Sequence, residues 1–174
     1  MPELMDVITK RRSIRKFASE QVPEQKLHAI LRAGLLAPTS MNKKPCEFYA
    51  VSNRALLRQL SQAKEQGAAF LADAPAAIAV CADSSKSDVW VEDCSIAMAY
   101  MGLMATSQGL GSCWVQMRRR RSSAGDDAET AVLGALGVPA CFRMVGLLAL
   151  GIPTQEAAPH SVNEADFSKV HFLE

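Results

Sequence analysis

The chain has 174 residues, enough for one domain, with 49% hydrophobic residues and a formal net charge of +1. That balance excludes a global basic field for nucleic acid or an acidic membrane surface; the positive charge is local, at residues 10–16 and again at Arg118 to Arg121. Asp73 and Pro75 interrupt the best apolar run, around Ala76 to Ala82, so no membrane span is expected, and MPELMDVITKRR lacks a signal peptide's apolar stretch, which makes a cytoplasmic location the expectation.

Taken in chain order, Leu4, Met5, Val7 and Ile8 mark a short amphipathic helix from Glu3 to Lys10. A second helix begins at Pro23, places Leu27, Ile30, Leu31, Gly34 and Leu35 on one face, and stops at Pro38. CEFYAVSN reads as a strand, and RALLRQLSQAKEQGAAFLAD as a third helix broken near Gly67. PAAIAVCAD is a buried strand. The long segment from Asp88 to Gly111 is a helix, apolar almost all round between Ile96 and Ala105, a pattern that predicts burial on every side. SCWVQM is a strand, RRRRSSAGDD a loop, DAETAVLGALGV a helix stopped by Pro139, and FRMVGLLALGI a strand. Beyond Gly151 no regular period is visible, yet Val162, Phe167, Val170, Phe172 and Leu173 are apolar, so this tail is expected to dock on something. Alternating strands and helices predict a layered α+β or α/β domain.

The five cysteines form no CxxC pair and the three histidines lie far apart, so reduced thiols are expected and a metal centre is not. Glu92 and Asp93, adjacent on a helix, diverge and read as a solvated or capping pair.

Three segments carry candidate chemistry. In KRRSIRKF, Arg11, Arg12, Ser13 and Arg15 present guanidinium forks and a hydroxyl suited to a phosphomonoester. On a helical turn Arg11 and Arg15 would share a face, and on an extended segment Arg11, Ser13 and Arg15 would share one side; either geometry can converge on such a group. The same charges also suit a solvated helix end, where cations favour the C-terminal dipole. Nucleic acid is the third reading, with no interleaved aromatic residues to support it. In APTSMNKKP, Pro38, Thr39, Ser40 and Asn42 form a loop of donors and acceptors that equally suits a helix-stopping turn. GLGSCWVQM has the order helix, glycines, strand, the reverse of a dinucleotide fingerprint, and reads as a helix C-cap feeding a strand whose backbone N–H groups lie near a ligand.

Together these segments resemble the flavin-dependent nitroreductases. RRSIRKF is similar to that family's opening signature. APTSMNKKPCEF resembles its APS-x-x-N-x-QPW-x-F segment, with Lys44 and Cys46 where glutamine and tryptophan are common. GLGSCWVQM resembles the stretch beside the flavin, and LLALGIPTQ the closing LxxGYP, in the family's order and spacing. The resemblance implies one domain over residues 1–174, a central, mostly antiparallel sheet flanked by helices, and a homodimer. The helix Val91 to Gln108 would be core and dimer contact, and the tail, about 152–174, would cross to the partner. It implies two FMN molecules at the interface. Arg11, Arg12, Ser13 and Arg15 would grip phosphate, ribityl chain and pyrimidine edge. Pro38, Thr39, Ser40 and Asn42 would reach the flavin from the other protomer. Trp114, Val115 and Gln116 would line the ring, with a backbone N–H near Gln116 at N5. The family's late phosphate-binding cation is matched poorly, His160 being the nearest residue; Arg118 or Arg120 would substitute for it. Residues 62–70 correspond to a region that supplies polar contacts in relatives, without a residue-by-residue match. The implied reaction passes hydride from NADH or NADPH through FMN to a small electron-poor acceptor, a nitroaromatic or quinone, with ping-pong kinetics. No catalytic side chain is needed. The competing expectations are a flavin store or redox sensor without turnover, a relative that dehalogenates a substrate or attacks the flavin, and a nucleic-acid binder resting on Arg118 to Arg121.

Overall fold

The computed structural model describes residues 3–173. Among these, five helices and four strands follow one another: α1 (Leu4–Lys10), α2 (Glu24–Leu35), β1 (Cys46–Val51), α3 (Arg54–Ser61), β2 (Ala76–Asp83), α4 (Trp90–Ser107), β3 (Gly111–Gln116), α5 (Ala128–Leu136) and β4 (Phe142–Gly151). Single 3-10 turns lie at Ser40–Asn42, Ala69–Ala72, Val162–Glu164 and Phe167–Lys169. The strands form one antiparallel sheet in the order β1-β2-β4-β3. It is an α+β layered fold with an antiparallel sheet at its centre.

β2 and β4 occupy the middle of the sheet, and both faces of each are covered, which is why they read as unbroken apolar runs. On one face Leu57 and Leu60 of α3 and Val132 of α5 pack against Ala77, Ala79, Leu147 and Ala149. On the other, Ile30 of α2 and Met98 and Met101 of α4 meet Ile78, Val80, Leu148 and Leu150. Side chains alternate across each strand, so one sheet serves two cores. β3 is left as an edge strand.

Three local readings are corrected. The third helix stops at Ser61 rather than running to Gly67, because KEQG after Ala63 has no apolar residue to bury; Gly67 then adopts φ +75. α5 ends at Gly137, in the left-handed conformation with φ +66, two residues before Pro139. α4 is not buried all round within the chain: Cys94, Ala97, Met98, Met101 and Ala105 face inward, while Ile96 and Tyr100 stay exposed.

The end of β3 is shaped by an irregularity. The β2–β4 register shifts between Val80 and Cys81, leaving Val145 as an extra residue in β4. The Val145 carbonyl accepts from both Met117 N and Arg118 N, each at 3.1 Å. Beside it, a Cβ on Gly146 would sit 2.4 Å from the Val115 carbonyl oxygen, so only glycine lets β3 and β4 approach here. The chain leaves the sheet at this bulge and enters the arginine loop.

Candidate functional site

After α1 the chain is extended; it meets the free edge of β3 at Ser13 and Ile14 and then turns onto the segment following β4, where Phe17 bridges Pro153. Ser13 bridges Ser112 in parallel, and Ile14 N donates to the Ser112 carbonyl at 2.9 Å. Gly111 makes room for this: a Cβ there would lie 2.8 Å from the Ile14 side chain. Alternation sends Arg11, Ser13 and Arg15 to one side. All three act on the Cys113 thiol: burial pushes it up, while the Arg15 guanidinium, a Ser13 hydrogen bond, the Lys64 ammonium and Arg11 pull the other way. Arg12 is separated from them. Its Nη1 donates to the Ala158 carbonyl of the tail, and with Ile14 it lines a different cavity, of about 580 Å³, closed by Gly109–Gly111 and residues 153–157.

The β3 edge supplies the other wall. Ser112 O is taken by Ile14 N, and Gln116 O accepts from Lys64 Nζ at 3.1 Å. Met117 N turns instead toward β4. Strand alternation therefore puts the N–H groups of Trp114 and Gln116 on the free edge. Val115 is buried in the core, whereas Trp114 is 39% exposed. The Trp114 Nε1 donates to Gln116 Oε1 at 2.8 Å, and Gln116 Nε2 donates to the Arg118 carbonyl at 3.1 Å, which fixes the amide.

Lys64 is the residue that sequence reasoning left unassigned. Burial and the Arg120 guanidinium hold it below the ordinary lysine range, with Cys113 opposing. In the sequence it is one charge in the polar stretch QAKEQG, and only the early stop of α3 turns it toward β3.

Pro38, Thr39, Ser40 and Asn42 form a separate group. Ser40 N donates to Asp93 Oδ1 at 2.9 Å, and Ser87 Oγ donates to Asp93 Oδ2 at 2.8 Å. Of the two readings of the Glu92–Asp93 pair, solvated or capping, Asp93 is not solvated: it is buried and accepts the backbone N–H that opens the Ser40–Asn42 turn. The Thr39 hydroxyl accepts from Lys44 N at 3.0 Å. Met41, Asn42 and Lys44 hold left-handed φ values of +51, +55 and +48; asparagine tolerates this conformation, but it is disfavoured by roughly 1–2 kcal/mol for Met41 and Lys44. No hydrogen bond or salt bridge among the described residues links this loop to Arg11, Ser13, Arg15 or β3 in the same chain. Arg118 also stands apart: its guanidinium lies over the Trp90 ring at 5.6 Å, where Arg143, paired with buried Glu129, lies at 5.8 Å.

Arg11, Arg15 and Lys64 converge beside an open sheet edge, and no salt bridge among the described residues neutralises them. Such a donor set fits an anionic ligand carrying a planar ring with hydrogen-bonding edges, as FMN does. The profile of the nitroreductase family matches residues 8–69 and 62–152. The chain belongs to the nitroreductase family. Among solved nitroreductases, an FMN-dependent enzyme of Clostridium difficile superposes with a TM-score of 0.94 at 38% identity, covering 98% of this chain and 99% of that one. A nitroreductase of Bacteroides fragilis with bound FMN gives 0.78 at 30% identity over 100% of both. An NADH dehydrogenase of Thermus thermophilus is 29% identical over 187 residues, 86% of each chain. Among the described residues no helix of this chain is long and apolar enough to cross a membrane.

Proposed function

We propose that the chain holds FMN in the trough between residues 11–15 and the β3 edge and passes hydride from NADH or NADPH to a small electron-poor acceptor, a nitroaromatic or a quinone. It is an NAD(P)H-dependent flavin oxidoreductase with FMN as its cofactor. The observation that carries the site is the seating of two cationic segments on one strand edge: Ser13, between Arg11 and Arg15, bridges Ser112, and Lys64 Nζ reaches Gln116 O at 3.1 Å, with all four side chains acting on Cys113.

Arg11 and Ser13 bind the phosphate, and Arg15 and Lys64 set a positive potential at the pyrimidine edge. When bound, FMN supplies the hydride chemistry, taking two electrons from the nicotinamide and giving them to the acceptor. The Gln116 N–H donates toward the ring, and Trp114 walls it. Holding Gln116 by both ends of its amide keeps that donor in place without reorganisation. Arg12 holds the tail and Arg118 the Trp90 ring, so neither belongs to the cofactor set in this reading.

A homodimer completes the site. Leu4 and Met5 of α1, Ile96 and Tyr100 of α4, and Phe167, Phe172 and Leu173 of the tail are all exposed in the single chain. Apolar surface of that extent calls for a partner. A second copy covers α1 and α4, receives the tail, and brings its Pro38–Asn42 loop to the flavin. The single domain thereby includes a crossing tail, of which residue 174 lies outside the described part.

Initial rates of NADPH or NADH oxidation with a quinone test the reading. Purified protein is expected to be yellow and to give parallel reciprocal plots, the signature of a ping-pong cycle. Full FMN loading without turnover would instead identify a flavin store.

A further inference from the structure

We propose that the cavity beside the arginine loop is a subsite for the 2′-phosphate of NADPH, which makes NADPH rather than NADH the electron donor. The inference rests on the flavin reading above. The cavity, about 370 Å³, is lined by Lys64, Glu65, Gln66, Arg119, Arg120 and Arg121, and its size falls in the range of small-ligand sites. Four cations face one carboxylate in a chain whose net charge is +1. Among the described residues none of the four is in a salt bridge.

The loop is held, not free. Arg120 N donates to Met117 O at 3.0 Å, Ala128 N to Arg120 O at 3.0 Å, and Glu65 N to Arg121 O at 3.0 Å. The backbone of Arg121 also pairs with that of Asp127 in an isolated antiparallel β-bridge. Arg120 spends one guanidinium N–H on Arg119 O and Arg121 one on Gly125 O, both at 3.0 Å. A guanidinium has five N–H donors, so most remain for a ligand. Arg119 keeps a left-handed φ of +58, a conformation the loop maintains against the preference of an L residue. Like charges gathered at this cost, with Arg120 acting on Lys64, are relieved by a dianion.

Position selects which dianion. Ser13 and its neighbours grip the flavin phosphate level with Ser112, near the start of β3. The arginine cavity lies past Gln116, at the other end of the strand, roughly 13 Å away at the usual rise per residue. Lys64 belongs to both: it lines the cavity and sits 3.1 Å from Gln116 O. A nicotinamide stacked over the flavin leaves its adenosine half to extend beyond the ring. A 2′-phosphate there brings about −1.5 to −2 charge and three oxygens for the arginine forks. NADH brings nothing to that point.

The test uses the FMN-loaded protein and the variant Arg119→Ala/Arg121→Ala, which leaves the proposed flavin contacts intact. The expected wild-type kcat/KM is at least about tenfold higher for NADPH than for NADH. The variant is expected to lose about tenfold or more with NADPH and to stay within about twofold with NADH, tenfold being the loss of one good charged contact. Equal losses with both donors, or a wild-type preference for NADH, overturn the proposal. In parallel, calorimetry compares adenosine 2′,5′-bisphosphate, adenosine 5′-phosphate and inorganic phosphate. Tighter binding of the bisphosphate, lost in the variant, supports the subsite; equal binding of the two nucleotides, or inorganic phosphate matching the bisphosphate, overturns it. Protein without flavin absorbance would defeat the flavin reading, and the calorimetry would still decide this one.

Discussion

Lys64 shows how one side chain can cost stability and serve binding. Burial and Arg120 hold it below the ordinary lysine range, so the folded chain takes up its proton less readily than the unfolded chain. That costs stability at neutral pH, and the cost fades as pH rises through the lysine range. Bound FMN favours the charged form, so its affinity should be highest while Lys64 keeps its proton and fall as pH rises through the lowered value. Lys64→Met is expected to weaken FMN about tenfold at neutral pH, to flatten that fall, and to leave the apoprotein no less stable. Fluorescence titration of FMN against pH, with urea unfolding of the apoprotein, reads all three. At this scale the sequence allowed two geometries for Arg11, Ser13 and Arg15, a helical face or an extended alternation, and the chain takes the extended one. Lys64 and Asp93 were not: their partners, Gln116 and Ser40, are 52 and 53 residues away. The sorting of Arg12 to the tail needed the docked tail itself.

Among the elements, α5 depends on its cap. Asp127 accepts from Thr130 N and from the Thr130 hydroxyl, both at 2.8 Å. The Thr130 backbone bond, chiefly, holds the Asp127 carboxyl below its ordinary 3.8, with burial opposing. Its folded pKa is depressed, so the stabilisation is present above 3.8 and lost as pH falls through the folded value. Asp127→Ala should cost about 1 kcal/mol at neutral pH, and the difference from wild type should shrink in strong acid; urea midpoints at the two pH values measure it. Strands and helices with strong periodicity were legible, β2 and β4 above all, because burial on both faces leaves few polar residues. The end of α3 was misread because the alanines in QAKEQGAAF look helical; Ala63, Ala68 and Phe70 do pack on the core, but the polar KEQG between them interrupts the apolar face, and the chain reaches Phe70 through a bend and a 3-10 turn. Gly137 rather than Pro139 ends α5 because a left-handed cap closes the carbonyls before proline is reached.

For the whole molecule, the tail is the test of assembly. Residues 154–173 are exposed throughout, yet the segment is tied at Thr154 N to Lys16 O and at His160 N to Thr9 O. A capping box at Ser161 and Glu164 orders it further. Such a run, with Phe167 and Phe172 in water, makes sense against a second copy. The full chain is expected to sediment at twice its 18.8 kDa, and a chain ending at Thr154 to sediment as a monomer that retains FMN poorly. The sequence announced this tail only as apolar residues out of place; nothing in its period tells where they dock. The account stands most directly on the grip of the N-terminal cations, and the FMN dissociation constant of Arg11→Ala/Arg15→Ala against that of Arg121→Ala measures it. Loss of two charged contacts is expected to weaken FMN about 100-fold or more in the first, with the second close to wild type. Equal retention of FMN by the two variants would contradict it.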